Sequence, residues 1–271
     1  MPAPSSPTPI DSPPSGAVPR RALSVWLAGA IGWDDYAALA ERLAGQMSGG
    51  ESTATPQGRE PTLVICELEP CITIGRLGSR ADVALGDDDL RARGLTLRFT
   101  GRGGGAVLHG PGQVCVALFA ALEDLGLRRD DVGGYVARFR AGLAAALATL
   151  RCGPQLDPGG HNVRGRTGLL AAVGVAVRRG VACHGAFVNV CPDPELQQRI
   201  ITSRPAGAPA LTMGSVQADV QRRVRLPDAR AALVRHVGEA FAFPRTHVQS
   251  GFPWALSPAG RGRTEVASRA G

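Results

Sequence analysis

The sequence predicts a mixed α/β domain with a largely antiparallel central sheet and helices packed against it. Three observations carry that expectation. Short apolar runs bounded by Gly or Pro recur between residues 62 and 190. Longer Ala/Leu stretches with helical spacing lie around them. The two kinds do not alternate strictly, so the sheet is not expected to be a regular parallel one.

Element by element, residues 33–47 place Trp33, Tyr36, Ala37, Ala40, Leu43 and Ala44 at helical spacing, and Asp34 and Asp35 suit the first turn of a helix. Gly49 and Gly50 end it, and a polar linker runs to Pro61. Residues 62–69 (TLVICELE) and 71–75 (CITIG) read as strands joined at Pro70. Asp87, Asp88 and Asp89 open a short helix that Gly94 closes, and residues 95–99 form a strand. A glycine-rich loop precedes a strand over 113–120 and a long Ala/Leu helix over 130–150. Residues 169–177 and 181–190 are apolar runs separated by Arg178-Arg179-Gly180, a hairpin signal. A short helix is expected over 194–200 and a last helix over 227–242.

The organisation expected is one domain over residues 21–256, after a Pro/Ser-rich disordered leader over 1–20 and before a loose Gly/Arg/Ala tail over 257–271. The chain has 271 residues, enough for a sizeable core. Aromatics are 4%, so that core must be built from Ala, Val, Leu and Gly.

All 30 basic residues are arginine, and the chain has no lysine. Any mechanism that needs a lysine amine of this chain is excluded, because arginine does not release its proton near neutral pH. The net charge of +7 favours acidic partners. The arginines are scattered, and neither zinc-finger spacing nor an aromatic RNA-binding run is present, which disfavours nucleic acid. None of the six cysteines forms a CxxC pair, and four sit in apolar strand-like runs. There is no apolar signal-peptide core and no apolar run near the ~20 residues that span a bilayer. A reducing cytoplasm, free thiols and no membrane are expected.

The strongest chemical signal is GRGGGAVLHGPGQ over residues 101–113. Glycines around one arginine give a loop whose N–H groups can approach a ligand closely. Arg102 can hold a carboxylate or phosphate, and His109 can move a proton. On composition alone, a glycine-rich turn between two strands is the simpler reading.

This run resembles the R-G-G-x-x-x-x-H-G-P-G-Q signature of the lipoyl(octanoyl) transferases, which belong with the biotin and lipoate protein ligases. Arg102, Gly103, Gly104, His109, Gly110, Pro111, Gly112 and Gln113 match, and Leu108 stands where that family usually has Tyr. Thr73-Ile74-Gly75 is similar to the family's T-x-G strand end. The hairpin LLAAVGVAVRRGVACHGAFVNV resembles the family's K-I-A-A-x-G-x-x-x-R-R-G-x-x-x-H-G-x-A-L-N-V, with Ala171, Ala172, Gly174, Arg178, Arg179, Gly180, His184, Gly185, Asn189 and Val190 matching.

The resemblance implies a biotin/lipoate ligase-like fold and an acyl pocket made of three segments. These are Arg102, Gly103, Gly104, Gly105, Ala106, Val107, Leu108 and His109; then Ala172, Val173 and Gly174; then Gly185, Ala186 and Phe187. Small residues there leave room for an eight-carbon chain. His184 is a further candidate. The implied partners are octanoyl- or lipoyl-acyl carrier protein and the lipoyl domains of 2-oxoacid dehydrogenase complexes or the glycine-cleavage H protein. No cofactor and no metal are implied.

The family's chemistry uses a cysteine that takes the acyl group as a thioester and a lysine that lowers its pKa. The lysine falls at Leu169, and the cysteine, in an I-x-P-C-G context, falls at Ser203, with Ile200 matching the isoleucine. Aligned instead on Pro205-Ala206-Gly207, the cysteine falls at Ala206. His184 and His161 are the nearby bases, and Cys183 and Cys191 are the nearby thiols. Three functions are therefore in play. The first is octanoyl transfer through Ser203, a relocated cysteine or direct transfer; the second is an acyl binder without the chemistry. The third is an ATP-dependent ligase, since GRGGGAV also resembles the ligases' R-x-x-G-G-G-A-V run.

Overall fold

The computed structural model describes residues 21–48, 60–156 and 160–251; the expected leader and tail lie outside the described residues. The described residues begin with a strand the sequence pattern did not single out, β1 (Leu23–Ile31), and then α1 (Trp33–Met47). It continues with β2 (Thr62–Leu68), β3 (Cys71–Ile74), α2 (Asp87–Ala92), β4 (Thr96–Phe99), β5 (Ala106–His109), β6 (Gln113–Ala121) and α3 (Val132–Thr149). Next come β7 (Val163–Arg164), β8 (Leu169–Val173), β9 (Ala176–Arg178), β10 (Val181–Cys183) and β11 (Gly185–Asn189). The described residues end in α4 (Pro194–Gln197), β12 (Ile201–Ser203), β13 (Leu211–Thr212), α5 (Val216–Val220), α6 (Leu226–Ala240) and β14 (Thr246–Ser250).

The main sheet runs β14-β1-β2-β6-β11-β8-β7, with β9 and β10 attached beside β6. Its pairs are antiparallel except at one edge, where β1 lies parallel to both β2 and β14. A second sheet, β4-β3-β5, and the small β12-β13 ribbon complete the domain. The largely antiparallel mixed sheet expected from sequence is therefore present.

Both faces of the main sheet are covered, and strand alternation sorts side chains between them. Leu63, Ile65, Val114, Val116, Leu118, Ala171, Ala186 and Val188 pack with Tyr135, Phe139 and Leu143 of α3 and Leu233 and Val237 of α6. Val64, Cys66, Cys115, Ala117, Phe119, Ala172 and Phe187 pack on the other side with Tyr36, Leu39 and Leu43 of α1. A third cluster under the small sheet joins Ile72, Ile74, Leu85, Leu90, Leu108 and Ile200. Two-sided burial makes the strands apolar throughout, as in LLAAV of β8, and hides the polar alternation that marks a half-exposed strand.

The expected hairpin over 169–190 is subdivided. The first arm breaks at Gly174-Val175 between β8 and β9, and the second at His184, whose φ is +61°. The break lets β10 pair with β9 and with the end of β6, while β11 pairs with β8 and the start of β6. Gly185 follows the break so closely that a Cβ there would lie 1.8 Å from the carbonyl oxygen of Val116. Gly185→Ala is therefore expected to push β11 off β6 and cost about 3 kcal/mol or more, at or above the upper end of overpacking effects. A urea midpoint like that of the parent would contradict this packing.

Candidate active site

The three predicted pocket segments meet. The Gly103 N–H donates to Val175 O at 3.1 Å, and the Gly174 N–H donates to Gly185 O at 2.7 Å. Val173 pairs with Ala186, and Ala172 with Phe187. At Gly104, φ is +75° and a Cβ would meet Val173 O at 3.0 Å, so only glycine suits this crossing of loop and strand.

The signature residues have a different use from the one composition suggested. Arg102 is 1% exposed. Its guanidinium donates to Thr73 O, Thr73 Oγ1, Gly103 O and Gly105 O at 2.7–3.1 Å. Its carbon lies 5.3 Å from the centre of the Phe187 ring. Arg102 therefore pins the loop to β3 and is not directed at a carboxylate or phosphate ligand. Burial lowers its pKa to about 10, which leaves it charged at neutral pH.

A single hydrogen-bond order extends from Arg102 across the domain. The Thr73 hydroxyl, already accepting from Arg102, faces His109 Nε2 at 2.7 Å. His109 Nδ1 lies 2.7 Å from Gln113 Oε1. Gln113 Nε2 donates to Leu108 O at 2.8 Å and to Asn189 Oδ1 at 2.7 Å, and Asn189 Nδ2 donates to Gly214 O at 3.0 Å. Carbonyl oxygens only accept, so Leu108 O and Gly214 O fix both amides. Gln113 must then accept from Nδ1–H of a neutral His109, and Thr73 must donate to its Nε2. His109 is also stacked on Trp33 and meets the edge of Phe187 at 4.5 Å between ring centres.

His109 was a candidate proton carrier, but the network holds it neutral. Burial, and then the charge of Arg102, push its pKa from 6.5 to about 3, against the pull of Gln113. Burial, and then Arg178, Arg102 and Arg76, lower His184 to about 4. The unfolded chain binds protons at both positions below pH 6.5, and the native state does not. Their stabilising effect is complete above that pH and is lost as pH falls toward 4 for His184 and 3 for His109. Each should lower stability by about 1.4 kcal/mol per pH unit once the unfolded side chain is charged. Urea midpoints from pH 7 to pH 5 should fall, and His109→Gln should flatten the slope. An unchanged slope in that variant would show that His109 titrates in the folded protein.

In front of this network lies a cavity of about 550 Å³ lined by Leu77, Gly104, Gly105, His161, Asn162, Leu169, Val173, Thr202, Ser203, Arg204, Ala206 and Leu211, among others. Leu169 and Ser203, where the resemblance led the lysine and cysteine to be expected, thus share one cavity, and so does Ala206 from the alternative alignment. Gly105 abuts β12, since a Cβ there would meet Thr202 O at 2.4 Å. Ser203 ends β12, opposite Leu211, and the neighbouring Arg204 Nε donates to the buried Asp82 at 2.8 Å. Leu169 is tied to the network through the Gly214 N–H, which donates to Leu169 O at 2.9 Å.

Of the other predicted residues, Arg102, Ala106, Val107, His109, Ala186 and Phe187 are 0–1% exposed and Leu108 and Ala172 4–5%, and none of them lines the cavity. His184 and Cys183 border a different depression, with Trp33, Phe99 and Arg178. Cys191 borders a third, beside Pro192 and Arg222. Burial raises the pKa of both thiols, so neither is a poised thiolate. Sequence reasoning missed Thr73 as the hub of the network. It also missed Asn162, whose Oδ1 accepts from the Val173 N–H at 2.9 Å, and Thr202, whose buried hydroxyl has no partner among the described residues. A lone Thr or Asn in a strand or loop carries no periodic signal. Among the described residues, no group of three His, Cys, Asp or Glu could hold a metal.

Comparison with known proteins shows the family. Residues 37–238 match the family described as the lipoyl protein ligase A/B catalytic domain. The chain belongs to that family. An octanoyltransferase from Citrifermentans bemidjiense is 32% identical over 193 residues, covering 71% of this chain and 84% of the relative. One from Nitrobacter hamburgensis is 34% identical over 206 residues, covering 70% of this chain and 78% of the relative. Among solved structures, a bipartite lipoate protein ligase from Thermoplasma acidophilum, studied with its E2 lipoyl domain, superposes with a TM-score of 0.60 at 15% identity, covering 86% of this chain and 89% of that one. A lipoate-protein ligase A bound with ATP gives 0.61 at 14%, covering 85% of this chain and 90% of that one. These two share the ligase A/B fold. No helix among the described residues is long and apolar enough to cross a membrane.

Proposed function

We propose that the chain is an octanoyltransferase, moving an octanoyl or lipoyl group from acyl carrier protein to a lysine of a lipoyl domain in protein lipoylation. The observation that carries this reading is the shared cavity. It places Gly104, Gly105 and Val173 of the acyl-pocket segments in one enclosure with Leu169 and Ser203. Its size suits a small ligand. Leu77, Leu169, Val173 and Leu211 supply an apolar lining, while His161, Thr202, Ser203 and Arg204 supply the polar groups. An acyl chain would gain by leaving water along the first set, with its carbonyl held among the second. The acceptors proposed are the lipoyl domains of 2-oxoacid dehydrogenase complexes or the glycine-cleavage H protein. The family membership and the named octanoyltransferases support transfer from a carrier in preference to ATP-dependent ligation.

Incubating the full chain with octanoyl-acyl carrier protein and an unmodified lipoyl domain tests this. The lipoyl domain should gain one octanoyl group on a lysine, read by intact mass. One observation favours a second reading, of a binder without chemistry: among the described residues, no thiol or amine side chain lines the cavity. Tight binding of the octanoyl carrier with an unmodified lipoyl domain would decide for the binder.

A further inference from the structure

We propose that Ser203 and His161 form an acyl-transfer pair, with Ser203 Oγ as nucleophile and His161 as the base that takes its proton. The proposal rests on the octanoyl-transfer reading and assigns its chemistry. Both residues line the same cavity of about 550 Å³. Ser203 is half-buried at the end of β12, whereas its neighbour Thr202 is 3% exposed. His161 is exposed at the cavity, next to Asn162, which β8 anchors through the Val173 N–H. The competing groups lie elsewhere: Cys183 and His184 border one depression and Cys191 another.

The pair also fits the two substitutions jointly. A thiol nucleophile works as a thiolate and gains from a neighbouring cation. A hydroxyl remains protonated and needs a base that can reach it instead. With Leu169 in place of the cation and Ser203 in place of the thiol, a serine nucleophile needs a base for its proton, and His161 is the imidazole that lines the cavity. In the first step, Ser203 Oγ bonds to the thioester carbonyl carbon while His161 takes the hydroxyl proton. The C–S bond then breaks, and the carrier thiol leaves with that proton. In the second step, the acceptor's neutral lysine amine bonds to the ester carbonyl. Its N–H proton passes to His161, the C–O bond breaks, and His161 returns the proton to Ser203 Oγ. The octanoyl group ends as an amide, and no oxidant or other reactant is needed.

The test uses the full chain and octanoyl-acyl carrier protein, followed by peptide mapping with and without neutral hydroxylamine, which cleaves thioesters readily and most esters slowly. The expected result is an octanoyl adduct on the Ser203 peptide that survives hydroxylamine. It should be absent in Ser203→Ala and become hydroxylamine-labile in Ser203→Cys. His161→Gly should slow acylation about 10²–10⁴-fold, and added imidazole should restore part of the rate, which a purely structural histidine would not permit. The proposal is overturned by undiminished transfer in Ser203→Ala, by an adduct on another residue, or by a wild-type rate in His161→Gly. If the wild type transfers octanoyl without an ester on Ser203, the pair falls and the octanoyl reading stands; if the wild type is inert but Leu169→Lys with Ser203→Cys transfers octanoyl, both fall and the binder reading is left. If both are inert, both fall.

Discussion

Leu169→Lys combined with Ser203→Cys is expected to raise octanoyl transfer by about 10²–10⁴-fold and to change the acyl-enzyme from an ester to a thioester. The two positions border one cavity, so a lysine and a cysteine placed there share its lining. A cation beside a thiol increases the thiolate fraction, and the thiolate is the attacking species. The single substitutions should gain far less than the pair. Ser203→Cys alone lacks the cation, and Leu169→Lys alone introduces a charge at a residue with 0% exposure without supplying a thiol. Single-turnover transfer from octanoyl-acyl carrier protein, with hydroxylamine sensitivity of the adduct, provides the measurement. A double variant that folds, binds the carrier and stays inert would mean that the catalytic positions have been misplaced.

Arg102→Met should cost roughly 3–5 kcal/mol, because several buried neutral acceptors are left without donors at about 1–3 kcal/mol each. Four acceptors, Thr73 O, Thr73 Oγ1, Gly103 O and Gly105 O, would lose their guanidinium donors within a closed interior. Arg102→Lys should fare little better, because one ammonium cannot reproduce a planar fork that bonds Thr73 and two loop carbonyls together. Urea denaturation of both variants gives the values. A loss below about 1 kcal/mol would mean that the loop is held by its backbone bonds alone.

Much of the sheet was legible from sequence because a buried strand must be apolar. Residues 62–68 and 113–121 stand out for that reason. The missed β1 and β14 show the limit. β1 carries Gly29 and a break in its pairing with β2, so its pattern loses phase. β14 (THVQS) is exposed along its whole length and owes its strand to pairing with β1. Neither fact is local to the residues concerned. At the site, the glycine-rich loop and the HGPGQ run located the pocket region. Sequence could not tell that Arg102 faces inward, because an arginine that binds a ligand and one that fastens a loop have the same spacing. That distinction depends on Thr73, which is 29 residues away.

The series from Arg102 through Thr73, His109, Gln113 and Asn189 looks like a path along which a proton could travel. Its ends forbid that. The head is a guanidinium, which does not surrender a proton near neutral pH, and the tail is the amide oxygen of Gly214, which does not take one up. Every hydrogen along the series is committed to one direction, so turning over a single amide would set two acceptors or two donors against each other. The arrangement is a rivet, not a wire. It joins β3, β5, β6 and β11 to the wall that carries Leu169, and it would hold that wall in place whether or not the cavity in front of it is at work.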